Sequence, residues 1–192
     1  MKRTGCVLAL VVLVAAAATA RGQEMAVPMD IQYPLLLKVL SAERGFRARV
    51  GKELVIGILH QPRFRRSIDA KETLAEVIAK TPVTPLQTIP VRAVAVAIDG
   101  ESELAAALAD TTIDLCYVTP LRAINVTAVA AATAARRIMT CTGVPEYVEE
   151  GVAVGVDAKG GRPQILINLA AAKTEGIEFP SQLLRLATIV MR

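Results

Sequence analysis

The sequence predicts an α/β domain of three layers: a mainly parallel sheet flanked by helices, with an antiparallel C-terminal hairpin at one edge. Three observations carry that expectation. Short runs rich in Val, Ile and Ala alternate with amphipathic stretches between Glu53 and Cys141, the rhythm of strands joined by right-handed crossover helices. The first such run, "ELVIGIL", is apolar at consecutive positions, so both of its faces need cover. After Gly151 the rhythm breaks, because "VAVGVD" and "QILINL" are joined by "AKGGRP". That link is rich in turn formers and too short for a helix, which makes the pair a hairpin.

The N-terminus reads as an export signal. Lys2 and Arg3 precede an uncharged, mostly apolar run from Val7 to Ala18, and Ala18-Thr19-Ala20 is a small-x-small cleavage site. The run falls short of the roughly 20 residues that span a bilayer. Residues 1–20 are therefore expected to be a cleaved signal peptide, residues 21–31 a linker and residues 32–192 one exported domain. "YPLLLKVLSAERGFRARVG" follows, with Leu36, Leu37, Leu40 and Phe46 near helical spacing and Arg44, Arg47 and Arg49 on the other faces. It predicts one amphipathic helix ending by Gly51. "SIDAKETLAEVIAKT" predicts a second helix, with Ser67 as its cap and Leu74, Val77 and Ile78 as its buried stripe.

Next come "VRAVAVA" (strand), "ESELAAALADT" (helix), "IDLCYVT" (strand), "PLRAINVTAVAAATA" (helix with Pro120 in its first turn) and "RRIMTC" (strand). Two helical pieces, "AAAKTEG" and "SQLLRLATIVM", close the chain.

Composition excludes several functions. Aromatic residues are 3% of the chain, so the core must be aliphatic and base-stacking platforms are scarce. The 22 basic and 18 acidic residues become 20 and 18 once Lys2 and Arg3 leave with the leader. That balance is too mild for nucleic acid. One histidine and the two cysteines left once Cys6 departs with the leader, without a CxxC spacing, give no metal site, and no cofactor fingerprint is present. Cys116 and Cys141 are open to three states in an oxidising compartment: an internal disulfide, two buried thiols or a bridge between subunits.

In an open parallel sheet, clefts lie outside the carboxyl ends of the strands. That edge is expected to gather His60, Gln61 and Arg63 after the first strand, Asp99 after the second, Thr119 after the third, and Thr142 with Gly143 after the fourth. Arg63, Arg65 and Arg66 beside a helix start suit a small anion. His60 lacks an accompanying GxSxG, phosphate loop or HExxH pattern. The chain is accordingly read as a binding protein rather than an enzyme.

From "GVPEYVEEGVAVGVDAKGGRPQILINLAAAKTEGIEFPSQLLRLATIV", with "LVIGILHQP" upstream, the chain resembles the YfiR-like family of small periplasmic regulatory proteins. The resemblance implies an exported protein that contacts the periplasmic part of a membrane-anchored diguanylate cyclase and restrains cyclic di-GMP synthesis. The features that carry it have physical readings of their own. Asn168 can bond the backbone of the turn after a buried strand, Gly176 can stop a helical turn with a positive φ, and Ser181 can cap the last helix. The basic cluster Arg44, Arg47 and Arg49 is the expected partner-binding face of the first helix. A small anionic ligand is the alternative, and a homodimer is expected because twofold assemblies are the commonest.

Overall fold

The run "LVIGILH" becomes β1 (Leu54–His60), buried at all seven positions, as a strand flanked by strands and covered by helices must be. A computed structural model describes residues 24–81, 89–109 and 112–190. The expected signal peptide, residues 1–20, lies outside them. Six further strands follow: β2 (Val91–Ala97), β3 (Leu115–Val118), β4 (Met139–Thr142), β5 (Val154–Lys159), β6 (Arg162–Asn168) and β7 (Thr188–Val190). They form one sheet in the order β2-β1-β3-β4-β5-β6-β7. β2, β1, β3, β4 and β5 pair in parallel, β6 returns antiparallel to β5, and β7 lies parallel to β6. The chain steps outward from β1 to β2 and then back to β3, so the sheet has its switch point between β1 and β3.

The helices divide between the two faces. α1 (Met29–Ala42), α2 (Phe46–Arg49) and α3 (Arg65–Lys80) bury Leu36, Leu40, Phe46, Leu74 and Ile78 against Ile56, Ile58 and Tyr117. α4 (Leu104–Ala109), α5 (Val126–Ala134) and α6 (Glu146–Glu149) bury Leu104, Leu108, Val126 and Tyr147 against Leu59, Cys116 and Val118. α7 (Leu169–Thr174) and α8 (Ser181–Leu186) complete the chain. No helix among the described residues is long and apolar enough to cross a membrane.

Several expected boundaries move, each for a local reason. Helix begins at Met29, inside the expected linker, because Val27 and Met29 are already in the core. The single helix expected up to Gly51 breaks after Ala42, where Glu43 turns inward and its Oε1 accepts from Gly45 N at 2.7 Å. Ser67 does not cap α3, whose N-cap is Phe64. Its hydroxyl instead accepts from Gln61 N at 2.8 Å, tying the preceding loop to the first turn. Pro120 sits in a loop, and α5 starts at Val126 with Asn125 Oδ1 accepting from Thr127 N at 3.0 Å.

The last helix stops at Leu186, and the β-branched residues after it form β7 beside β6. Ser181 is the first residue of α8, and Pro180 takes the N-cap position without a side-chain bond. Gly176 has φ +77 at the end of α7, where a side chain would be strained.

Asn168 joins three elements. Its Oδ1 accepts from Ala171 N at 3.0 Å and so caps α7, while its Nδ2 donates to Val148 O at 2.8 Å. Replacing it by alanine leaves Ala171 N without its cap and takes the shorter of two bonds from Val148 O, which keeps Gly151 N at 3.4 Å. Asn168→Ala should lower unfolding free energy by about 2 kcal/mol, measured by urea denaturation; a loss below about 0.5 kcal/mol would mean water replaces both bonds.

Candidate functional site

The carboxyl ends of β1, β3 and β4 bring together His60, Gln61, Thr119, Thr142 and Gly143, but most of their polar atoms are spent within the fold. Thr119 Oγ1 donates to Leu59 O at 2.8 Å and lies 2.6 Å from Ser67 Oγ, which in turn accepts from Gln61 N. The Gln61 side-chain carbonyl accepts from Arg122 N. Thr142 Oγ1 donates to Val118 O at 2.9 Å and accepts from Val144 N at 3.1 Å. This chain of bonds closes the loops after the strands where the switch point would otherwise be open.

His60 is 8% exposed, and its Nδ1 lies 3.3 Å from Ile58 O. That is a backbone contact, whereas a general base needs an orienting acid and a substrate proton. Arg63 and Asp99 stand outside this group, paired at 3.7 Å with side chains 87% and 42% exposed. An ion pair so exposed contributes little.

Sequence reasoning missed the centre of this edge. Gln32, fully buried in α1, donates through Nε2 to Val27 O at 2.6 Å and accepts through Oε1 from Tyr117 Oη at 2.8 Å. Burial holds the Tyr117 phenol well above its ordinary pKa, so it remains a donor. Tyr117 Oη also lies 3.5 Å from Met25 Sδ. Residues 24–28 thus run across the end of the sheet as a strap. Between the strap and α3 lies an open cavity of about 380 Å³, whose wall includes Glu24, Val27, Arg66, Ala70, Thr73 and Pro120.

A second polar cluster lies at the opposite end of the strands. Glu175, 1% exposed, accepts from Thr140 N at 2.9 Å and from Thr140 Oγ1 at 2.5 Å. Burial pushes its carboxyl up to about 7, against the lowering effect of those bonds and of Arg49. Asp114, which accepts from Val55 N at 2.8 Å, is raised for the same reason. Arg49 pairs with the buried Glu43 carboxylate, and a cavity of about 460 Å³ opens beside Arg49, Asp114 and Glu175.

Arg44, Arg47 and Arg49, expected on one helix, are divided by the break after Ala42. Arg44 lies after α1 and meets Glu178 at 3.8 Å, Arg47 is exposed on α2, and Arg49 turns inward. No local signal marks Glu175, which stands next to a helix-stop glycine as many solvated residues do.

Cys116 and Cys141 are free thiols, so the disulfide left open above is not made. The register of β3 and β4 sets Cys116 beside Thr140 and Cys141 beside Tyr117. The two sulfurs consequently enter opposite core layers. Burial raises the Cys116 thiol to about 12 and Cys141 well above its usual range, which makes both poor nucleophiles. Among the described residues no group of His, Cys, Asp and Glu is placed to hold a metal ion.

The fold is similar to that of solved structures at low sequence identity. One is an ABC domain in complex with L-Trp from Streptococcus pneumonia, with TM-score 0.58 and 16% identity over 85% of this chain and 62% of that one. Another is a conserved domain protein from Vibrio cholerae, with TM-score 0.58 and 16% identity over 86% of this chain and 60% of that one. A third is the ligand-free, open structure of a substrate binding protein with adhesive properties from Clostridium difficile. Its TM-score is 0.53, at 17% identity over 80% of this chain and 59% of that one. This chain spans about three fifths of each of these proteins, and the likeness is one of fold. No curated protein sequence matches it. Residues 46–188, from α2 into β7, match the family described as YfiR/HmsC-like, and the chain belongs to that family.

Proposed function

We propose that the exported chain is a periplasmic regulatory protein that acts by contact on the periplasmic part of a membrane signalling protein of the diguanylate cyclase type. The observation that carries this reading is the family match over residues 46–188, which takes in six of the seven strands whole. Membership of the YfiR/HmsC-like family supports a periplasmic regulatory role in general; the cyclase as client is the finer step. The site geometry agrees with binding over catalysis, since Thr119, Thr142 and Gln61 hold the fold together with the groups a reaction would need.

Deleting the gene should raise cellular cyclic di-GMP, and the tagged mature protein should co-purify with an inner-membrane protein carrying a cyclase domain. Unchanged cyclic di-GMP together with no such membrane protein would defeat the proposal.

A second reading, a small-molecule module of a transport or sensor system, draws on two fold neighbours, one in complex with L-Trp and one a substrate binding protein. A ligand at 100 times its dissociation constant adds about 2.7 kcal/mol of stability. Under this reading a thermal-shift screen of small organic anions should find such a compound. A flat screen removes it.

A further inference from the structure

We propose that the slot holding Met25 at the end of the sheet is a recognition site for an extended peptide segment of a partner protein, with residues 24–28 of this chain as its built-in competitor. The proposal builds on the contact-acting role above and names the surface and the chemistry of the contact.

The chain's own strap shows what the slot accepts. Met25 alone among the described partly buried apolar residues packs against both core layers, so its side chain covers the end of the sheet where the two layers meet. Its sulfur lies 3.5 Å from Tyr117 Oη, a hydroxyl whose stronger bond runs to Gln32 at 2.8 Å. Two residues on, Val27 is buried and its carbonyl takes the Gln32 Nε2 proton. Glu24 lines the same cavity as the exposed Arg66. The recognised pattern is an acidic residue, a long unbranched apolar side chain, any residue, then a second apolar residue whose carbonyl faces Gln32.

The strap is held in a way that allows exchange. Backbone hydrogen bonding to α1 begins at Pro28, whose carbonyl accepts from Ile31 N and Gln32 N. Residues 24–27 rest on side-chain contacts and one side-chain bond to a carbonyl. Segments held so sparsely open at little cost in free energy. The cavity of about 380 Å³ beside them already leaves room on the α3 side. An incoming segment of the same pattern replaces each contact it removes, so binding is set by competition and not by unfolding of the domain.

The test uses the mature chain and a fluorescein-labelled peptide copying residues 21–30. Met25→Ala weakens the competitor, so this variant should bind the peptide at least about tenfold more tightly than the wild type. A peptide with aspartate in place of the Met25 equivalent should bind neither protein. Equal affinity for variant and wild type, or equal binding of the aspartate peptide, would overturn the proposal.

A measurement on the unaltered protein guards against a variant that misfolds. With methyl-labelled methionine, millimolar peptide should move the Met25 methyl resonance to the position of a solvated methionine. A resonance that stays in place at that concentration overturns the proposal by itself. If the membrane client still co-purifies while the peptide fails, the slot falls and the regulatory role stands. If the peptide exchanges and no client is found, the role falls and the slot stands.

Discussion

Between pH 8 and pH 5 the protein should become more stable, by up to about 3 kcal/mol, with Glu175 as the main source. Burial raises the Glu175 carboxyl from 4.5 to about 7 in the folded chain, and each pH unit of displacement is worth about 1.4 kcal/mol. Above pH 7 the folded state carries an ionised carboxylate in a nearly dry site, a penalty the unfolded chain escapes. As pH falls through 7 the folded state takes up a proton that the unfolded chain does not hold until near 4.5. Stability therefore rises across that window and levels off below it. Asp114, raised by the same cause, adds in the same direction.

Urea unfolding at half-unit pH steps measures the slope. Glu175→Gln keeps the shape and an acceptor for Thr140 N while removing its titration, so its profile should lose most of the slope from pH 5 to 8, leaving the part set by Asp114. An unchanged slope in that variant would show that other groups set the pH response.

The legible part of this structure was whatever local spacing and side-chain chemistry determine. β1 announces itself through six consecutive apolar or small residues, Leu54 to Leu59, that have to be covered on both faces. The β5–β6 hairpin follows from a six-residue link with two adjacent glycines, Gly160 and Gly161, both at positive φ. Asn168 was recognisable because an amide after a buried strand has few other uses, and its two bonds account for it.

What stayed hidden depends on contacts far apart in sequence. Gln32 looks like a polar position on an amphipathic helix until Tyr117, 85 residues later, supplies its donor. Glu175 meets Thr140 across 35 residues, so nothing near it in the chain marks it as buried. The boundary errors have the same origin. Helical periodicity carried past Glu43 puts Arg49 on a solvated face, whereas the turn at Glu43 buries Phe46 and pairs Arg49 with Glu43. β7 was hidden for a different reason: three β-branched residues after a leucine-rich helix become a strand only because β6 offers them an open edge.

Gly143→Ala should be among the most damaging single-methyl substitutions in the domain, at about 3 kcal/mol. A Cβ on Gly143 would stand 2.4 Å from Gln32 Oε1 and 2.5 Å from its Nε2. Gln32 cannot simply swing aside, because it is fully buried and both ends of its amide are engaged. Overpacking of this kind costs roughly 1–3 kcal/mol. Displacing Gln32 also takes the stronger bond from the Tyr117 hydroxyl and strands the Val27 carbonyl, a group worth roughly 1–3 kcal/mol if left buried and unpaired.

Gly100 supplies the control. A Cβ there meets nothing within 4 Å, so Gly100→Ala should lie within about 0.5 kcal/mol of the wild type, as a surface change does. If steric conflict with Gln32 is the cause, Gly143→Ala combined with Gln32→Ala should be less harmful than the sum of the two single changes by at least about 1 kcal/mol. Strict additivity would place the damage in the β4 backbone instead, and would leave the Gln32 amide without its role in shaping the end of the sheet.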